Sequence, residues 1–444
     1  MPATGRRFAL ITASVAVVIA LHGASAPAHA FTWRADDDPV TTEKILDAGP
    51  LKLFASCFQG GVPGGAGDVQ LSARSARDGA MIHVAVQNDA GPGSIAGYGE
   101  DDFFNAGEAD EFDLESEVYG GLDATTDATG QIVYRTHGGR VVTVDFMSED
   151  KQLPGSKECL VAGTAAAPKP SAERNVYYRG LSGASDPKRI FKGGGMRLKA
   201  RCFAGPDLEV FLYGKDADTL HANSQSDVDH NGADEAAFFS NPLFIGGVAG
   251  PFNGGVQDTD SAGQMIYTNG KVVITIDYLA ETSDVFDPSG CEFAATVRVA
   301  GEHSKNRVLY KRNASDSNFP FTKFFSGGGL RLKGRCAYPS LNTAVSASTS
   351  SAHSTLHFDA QGDFDEDGTD ERAYGEVDDF GSPGSSIQFM LYLDSFGLEA
   401  GDNSSGLLFL ATRGGRVVSL DYLVDTAGSL GKDCLFAGVA VPAG

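Results

Sequence analysis

The amino-acid sequence predicts an all-β protein built from three tandem β-sandwich or jelly-roll-like modules, each with one internal disulfide. Three observations carry the prediction. The chain holds 56 glycines, and its Val, Thr, Phe and Tyr residues gather in short runs of strand length rather than in long helical patterns. Three sequence elements recur in the same order three times. The six cysteines fall one pair to each recurrence.

The first element leads into the first cysteine of each copy: Leu51-Lys-Leu-Phe-Ala-Ser-Cys57, Met196-Arg-Leu-Lys-Ala-Arg-Cys202 and Leu330-Arg-Leu-Lys-Gly-Arg-Cys336. Apolar and polar residues alternate here, as a half-buried strand requires. The second element is Arg140-Val-Val-Thr-Val-Asp145-Phe146, Lys271-Val-Val-Ile-Thr-Ile-Asp277-Tyr278 and Arg416-Val-Val-Ser-Leu-Asp421-Tyr422. The third opens on the second cysteine, as Cys159-Leu-Val-Ala-Gly, Cys291-Glu-Phe-Ala-Ala and Cys434-Leu-Phe-Ala-Gly. Threefold recurrence of this kind marks internal duplication. Before each second element stands another apolar run, joined to it through His137-Gly138-Gly139, Asn269-Gly270 or Gly414-Gly415. Such dipeptides supply the positive φ of a tight hairpin. No strand order follows from these signals.

The paired cysteines are 102, 89 and 98 residues apart, too far for the short spacing of zinc or redox motifs. An even count with one pair per copy predicts the bridges Cys57–Cys159, Cys202–Cys291 and Cys336–Cys434, as an oxidising compartment permits. Six buried free thiols are the competing reading.

The N-terminus supports such a compartment. Arg6 and Arg7, the uncharged run Phe8 to Leu21 and the Ala28-His29-Ala30 site form the three parts of a secretory signal peptide. The run is shorter than the roughly 20 residues that span a bilayer, and no later stretch is long and apolar enough. The expected organisation is a signal peptide over 1–30, repeats over 31–163, 174–299 and 306–444, and linkers over 164–173 and 300–305. Without residues 1–30 the chain has 33 Lys and Arg against 58 Asp and Glu, a net charge of −25. That excess repels nucleic acid and anionic lipid and offers many oxygens to hard cations. The expected location is extracellular or on a cell surface, with no nucleic-acid partner and no membrane insertion of the mature chain; the oligomeric state is open.

One pattern points to metal chemistry. Copy two contains Asp227-Val-Asp229-His-Asn231-Gly232-Ala233-Asp-Glu235, and copy three Asp363-Phe-Asp365-Glu-Asp367-Gly368-Thr369-Asp-Glu371. Side-chain oxygens at positions 1, 3 and 5 converge when glycine at position 6 allows a sharp turn. The carbonyl of Ala233 or Thr369 and the carboxylate of Glu235 or Glu371 then complete an oxygen shell suited to Ca2+. These loops resemble the DxDxDG calcium loops of EF-hands and, in shorter form, of extracellular β-proteins. They depart from the EF-hand at position 12, where Phe238 and Tyr374 stand. The same residues also suit a solvated acidic turn. In copy one the nearest segment, Glu100 to Glu108, lacks the alternating acids.

The repeated Asp145, Asp277 and Asp421 read as structural groups at strand ends, bonded to a turn, with catalytic or ligand carboxylates as the alternative. The histidines read as scattered, with none recurring in all three copies and with His83 and His357 on a solvated face. Trp33, Tyr177 and Tyr178 read as core or interface packing, with sugar stacking as the alternative. No nucleophile elbow, metalloprotease helix or phosphate-binding glycine loop occurs.

The GG-x-L-x-L-x-A-x-C element, the acidic loop, the G-x-V-V-x-V-D-F strand and the C-L-x-A-G-T exit together resemble uncharacterised secreted bacterial β-repeat proteins with one cysteine pair per repeat. The resemblance spans nearly the whole chain after residue 30. It implies export and a β-rich module, and supplies no catalytic residue. The leading functional expectation is a secreted or cell-surface, non-enzymatic protein, structural or adhesive and calcium-stabilised. The alternatives are a carbohydrate- or surface-ligand-binding protein and a secreted hydrolase with a carboxylate-based site.

Overall fold

A computed structural model of the chain describes residues 29–36, 42–59, 67–88, 95–103, 109–112, 128–149, 158–166, 175–181, 183, 186–202, 208–214, 218–226, 235–241, 261–281, 290–313, 320–336, 343–363, 371–381, 389–391, 403–425 and 433–443. The expected signal peptide lies outside these residues, apart from its last two. Among them all regular structure is β, and no helix is long and apolar enough to cross a membrane.

Unit 1 comprises β1 (His29–Asp36), β2 (Thr42–Asp47), β3 (Leu51–Gln59), β4 (Gly67–Ser75), β5 (Ala80–Asn88), β6 (Ile95–Phe103), β7 (Ala109–Phe112), β8 (Ala128–Arg135), β9 (Val141–Glu149) and β10 (Glu158–Ala166). Unit 2 comprises β11 (Asn175–Leu181), β12 (Lys188–Gly193), β13 (Met196–Cys202), β14 (Leu208–Tyr213), β15 (Thr219–Ser226), β16 (Glu235–Asn241), β17 (Ser261–Thr268), β18 (Val273–Glu281) and β19 (Gly290–Ala300). Unit 3 comprises β20 (Arg307–Asn313), β21 (Thr322–Gly327), β22 (Leu330–Cys336), β23 (Thr343–Thr349), β24 (Ser354–Asp363), β25 (Glu371–Phe380), β26 (Phe389–Leu391), β27 (Asn403–Ala411), β28 (Val417–Asp425) and β29 (Asp433–Ala443). Thr164 to Ala166, expected in the linker, continue β10 and pair with β9.

Each unit is a sandwich of two antiparallel sheets. The larger sheets have the orders β1-β10-β9-β8-β5-β6, β11-β19-β18-β17-β15-β16 and β20-β29-β28-β27-β24-β25. The smaller ones are β2-β3-β4-β7, β12-β13-β14 and β21-β22-β23-β26. The predicted hairpins join β8 to β9, β17 to β18 and β27 to β28, with Gly139, Gly270 and Gly415 at φ of 74°, 77° and 79°. In β13 the inward residues Met196, Leu198, Ala200 and Cys202 are buried, while Arg197, Lys199 and Arg201 point outward. The disulfides Cys57–Cys159, Cys202–Cys291 and Cys336–Cys434 stitch the small sheet of each unit to its large sheet, across Cα separations of 5.9, 5.7 and 5.7 Å.

The large sheets break the usual rule of one wet face. β8, β9, β17 and β28 are buried at every position. Val142, Val144 and Phe146 of β9 fill the unit's own core, whereas Val141 and Met147, on the opposite face, pack against other units. Three equivalent seams result. Met81, Val133 and Val141 of unit 1 meet Leu279 and Ala294 of unit 2. Ile266 and Val273 of unit 2 meet Leu423, Leu435 and Ala437 of unit 3. Phe409, Ala411 and Val417 of unit 3 meet Met147, Leu160 and Ala162 of unit 1. The contact is head-to-tail and closes after three steps, so the modules form a ring about an approximate threefold axis.

Candidate functional site: a polar axis inside the ring

The acidic loops expected to bind calcium connect β15 to β16 and β24 to β25, adjacent paired strands of the large sheets. Asp227, Asp229, Asn231 and Ala233, and likewise Asp365, Asp367 and Thr369, lie outside the described residues. Asp363 closes β24, and Glu235 and Glu371 open β16 and β25. The corresponding connection in unit 1 joins β5 to β6 across residues 89–94. The segment from Glu100 is therefore not the counterpart of the loops: Glu100 to Phe103 belong to β6.

The repeated aspartates are not at strand ends beside turns. Asp145 is central in β9, Asp277 in β18 and Asp421 in β28, and all three are fully buried. The hairpin geometry puts them on the face opposite the unit cores, and ring closure brings that face of each unit to the axis. Their carboxylate oxygens lie within 4.8 Å of one another, a grouping that could hold a metal ion. The chain places its own cation there. The Arg298 guanidinium, from β19, contacts Asp145 at 2.9 Å, Asp277 at 2.8 Å and Asp421 at 2.5 Å. Only unit 2 supplies this group, since the equivalent positions are Ala166 in β10 and Val441 in β29. Thr164 and Ser419 donate hydroxyl hydrogen bonds to Asp145 at 3.3 and 3.1 Å.

One guanidinium does not neutralise three carboxylates. Burial pushes Asp277 up to about 6 and Asp421 upward, against the pull of Arg298 and with the help of the neighbouring acids. Arg298 itself stays charged: the three carboxylates outweigh its burial and raise its pKa.

The histidines correct the sequence reading most clearly. His83, His221 and His357 occupy the same position on β5, β15 and β24, opposite Val133, Ile266 and Phe409, and all are fully buried. They recur in every copy and do not face solvent. Each lies at a seam. His221 Nδ1 donates to the Ser404 carbonyl of unit 3 at 3.0 Å, and His357 hydrogen-bonds the Ala128 backbone of unit 1. Desolvation holds His221 down to about 4 and His357 down to about 3, so both are neutral at neutral pH. A signal was present, in Ile82-His83-Val84, Leu220-His221-Ala222 and Leu356-His357-Phe358, but loops of different length hid the correspondence.

Two residues further along those strands come Ala85, Asn223 and Asp359. Asn223 donates to Ser405 Oγ of unit 3 at 3.1 Å, and Asp359 accepts from Thr129 Oγ1 of unit 1 at 2.9 Å. At the seam between units 1 and 2 both partners are alanine, Ala85 and Ala262, and a cavity of about 50 Å³ opens on the axis beside them. Its remaining wall includes Gln131, Gln264, Gln361 and Leu407. Gly406 has no room for a side chain, because a Cβ there would lie 2.0 Å from the Asp359 carbonyl oxygen. Burial lifts Asp359 to about 6.

Trp33 and Tyr178 are core residues, and Tyr177 packs into the seam between units 1 and 2. No protein-family model matches the chain, and no curated protein or solved structure shows significant similarity to it.

Proposed function

We propose that this chain is a secreted, non-enzymatic structural or adhesive protein that grips an anionic surface or matrix polysaccharide through the outer sheets of units 2 and 3. The observation that carries this reading is a pair of basic stripes on an otherwise acidic chain. In β13 and β22 the strand alternation that sends Met196, Leu198, Leu330 and Leu332 inward sends Arg197, Lys199 and Arg201, and Arg331, Lys333 and Arg335, outward. Aromatic rings steady several of them: Arg197 and Lys199 lie 5.5 and 5.2 Å from the Tyr213 centroid, Arg201 5.2 Å from that of Phe211, and Arg335 4.9 Å from that of Phe321. Cations on alternate residues of one strand are about 7 Å apart, a ladder for regularly spaced acid groups. Unit 1 has Lys52, Phe54 and Ser56 at the same places.

Three disulfides suit an oxidising, extracellular setting. The hydrolase alternative loses its best carboxylates, since Asp145, Asp277 and Asp421 are sealed beneath packed sheets and engaged by Arg298. In this reading calcium bound by the acidic loops of units 2 and 3 stabilises the β15–β16 and β24–β25 connections.

The test is retention on beads carrying polygalacturonate or dextran sulfate, with uncharged dextran as control. Binding that weakens with salt, and that falls at least tenfold when Arg197, Lys199, Arg331 and Lys333 are all changed to Ser, is expected. Unchanged retention of that folded variant, or equal retention on dextran, would overturn the reading.

A further inference from the structure

The axis carries more negative charge than it neutralises. Asp145, Asp277 and Asp421 share Arg298, and Asp359, also buried, lies near enough to Asp145 to feel its charge. Among the described residues, none that lines the cavity beside Asp359 is basic. Gln131 and Gln264 connect the two layers, since each hydrogen-bonds Asp277. A carboxylate only accepts, so the amide nitrogen of each glutamine is the donor. That turns the Gln264 carbonyl oxygen away from Asp277. Gln264 is 5% exposed and lines the cavity, and its Oε1 meets no donor. A buried carbonyl left in this state costs free energy that a ligand would recover.

We infer that this axial cavity is a cation site for a hard, oxygen-seeking ion of the calcium class, bound with part of its hydration shell. Gln264 Oε1 and the Asp359 carboxylate are its central ligands, with Asn223, Gln361 and Thr129 around them. About 50 Å³ admits roughly three water-sized groups, enough for an ion and its remaining waters but not for a sugar. The flexible amide and carboxylate set fits calcium better than magnesium, which demands a stricter octahedron. The site is separate from the acidic loops, although β15 and β24 run from the cavity wall straight toward them.

Equilibrium dialysis with calcium tests the assignment. Asp229→Asn with Asp365→Asn silences the loops, so that any ion still bound belongs elsewhere. That double variant is expected to keep one calcium per chain and a calcium-dependent rise in melting temperature. Adding Gln264→Leu or Asp359→Asn is expected to weaken the remaining binding at least tenfold. Crystals of the unmodified protein soaked in terbium supply an arm that needs no variant to fold, with an anomalous peak expected between Gln264 and Asp359. No calcium on the loop-silenced protein, binding indifferent to both axial substitutions, or anomalous peaks confined to the loops would show that the cavity holds water only.

Discussion

The seam between units 1 and 2 and the seam between units 3 and 1 use the same backbone frame and opposite chemistry. In the first, Arg135 and Glu292 form a buried ion pair at 2.5 Å, while Ala85 and Ala262 leave a cavity on the axis. In the second, the positions of the ion pair hold Ala411 and Leu160 in an apolar cluster, while the positions of the two alanines hold Asp359 and Thr129, hydrogen-bonded at 2.9 Å. Partners differ as pairs. A buried polar group without its complement is expensive, whereas a matched polar pair and a matched apolar pair both satisfy the same packing. A threefold ring is thus tolerant of sequence divergence between its units only when both sides of a seam are complementary.

The largest expected effect comes from Arg298, which reaches across two seams to Asp145 and Asp421. Arg298→Met leaves three buried carboxylates without a counter-charge and is expected to destabilise the fold by about 3–5 kcal/mol at pH 7 in denaturant titrations. The loss should shrink toward pH 5, where Asp277 and Asp421, their pKa values raised, take up protons. A loss that grows on acidification would refute the charge account of the axis.

Breaking the ion pair comes next. Glu292→Leu alone strands Arg135 at a buried seam and should cost about 3 kcal/mol or more. Combined with Arg135→Ala it recreates the Ala411–Leu160 pairing, and most of that loss is expected to return in a double-mutant cycle. Additive losses would mean that the seams are not interchangeable.

The two seams also respond differently to pH. His357 is neutral when folded, with a pKa near 3 against about 6.5 unfolded. Its contribution is therefore fully present above pH 6.5 and is lost as pH falls toward 3, at a rate of about 2 kcal/mol between pH 6.5 and 5. Asp359 acts with the opposite sign. Raised to about 6 from an ordinary 3.8, it contributes stability below pH 3.8 that is lost as pH rises through 6. In chelator-treated protein, Asp359→Asn should fall in stability between pH 7 and 5 more steeply than the unmodified chain, by about 1 kcal/mol. Parallel pH profiles would show that Asp359 titrates normally. Ala85 at the equivalent place cannot titrate, so the seam between units 1 and 2 lacks this term.

The smallest effect sharpens the comparison rather than breaking it. Ala85→Asn with Ala262→Ser transplants the Asn223–Ser405 pair into the first seam. The double variant is expected to stay within about 1 kcal/mol of the parent, and each single change to be worse than the pair.

Much of the framework was legible from the chain. Cys57, Cys202 and Cys336, each carried by an alternating strand, and Gly139, Gly270 and Gly415, each at a hairpin, act through contacts or dihedrals close in sequence or repeated at near-constant spacing. The axis was not legible. Asp145 looked like a turn-associated acid because its strand reads as half-buried, and nothing local says that its polar face will be covered by two other units. Arg298 has no counterpart in the other copies, so repetition drew attention away from it. His83, His221 and His357 were dispersed by loops of unequal length.

Strand alternation, turn glycines and cysteine pairing by themselves determined three disulfide-closed β units, because these are short-range or covalent constraints. Tertiary structure alone decided that the units close into a ring. Closure depends on the second face of each large sheet, and whether that face meets water or another sheet is settled by the complementarity of surfaces more than a hundred residues apart. The same closure turned three ordinary aspartates into a buried cluster that needs Arg298.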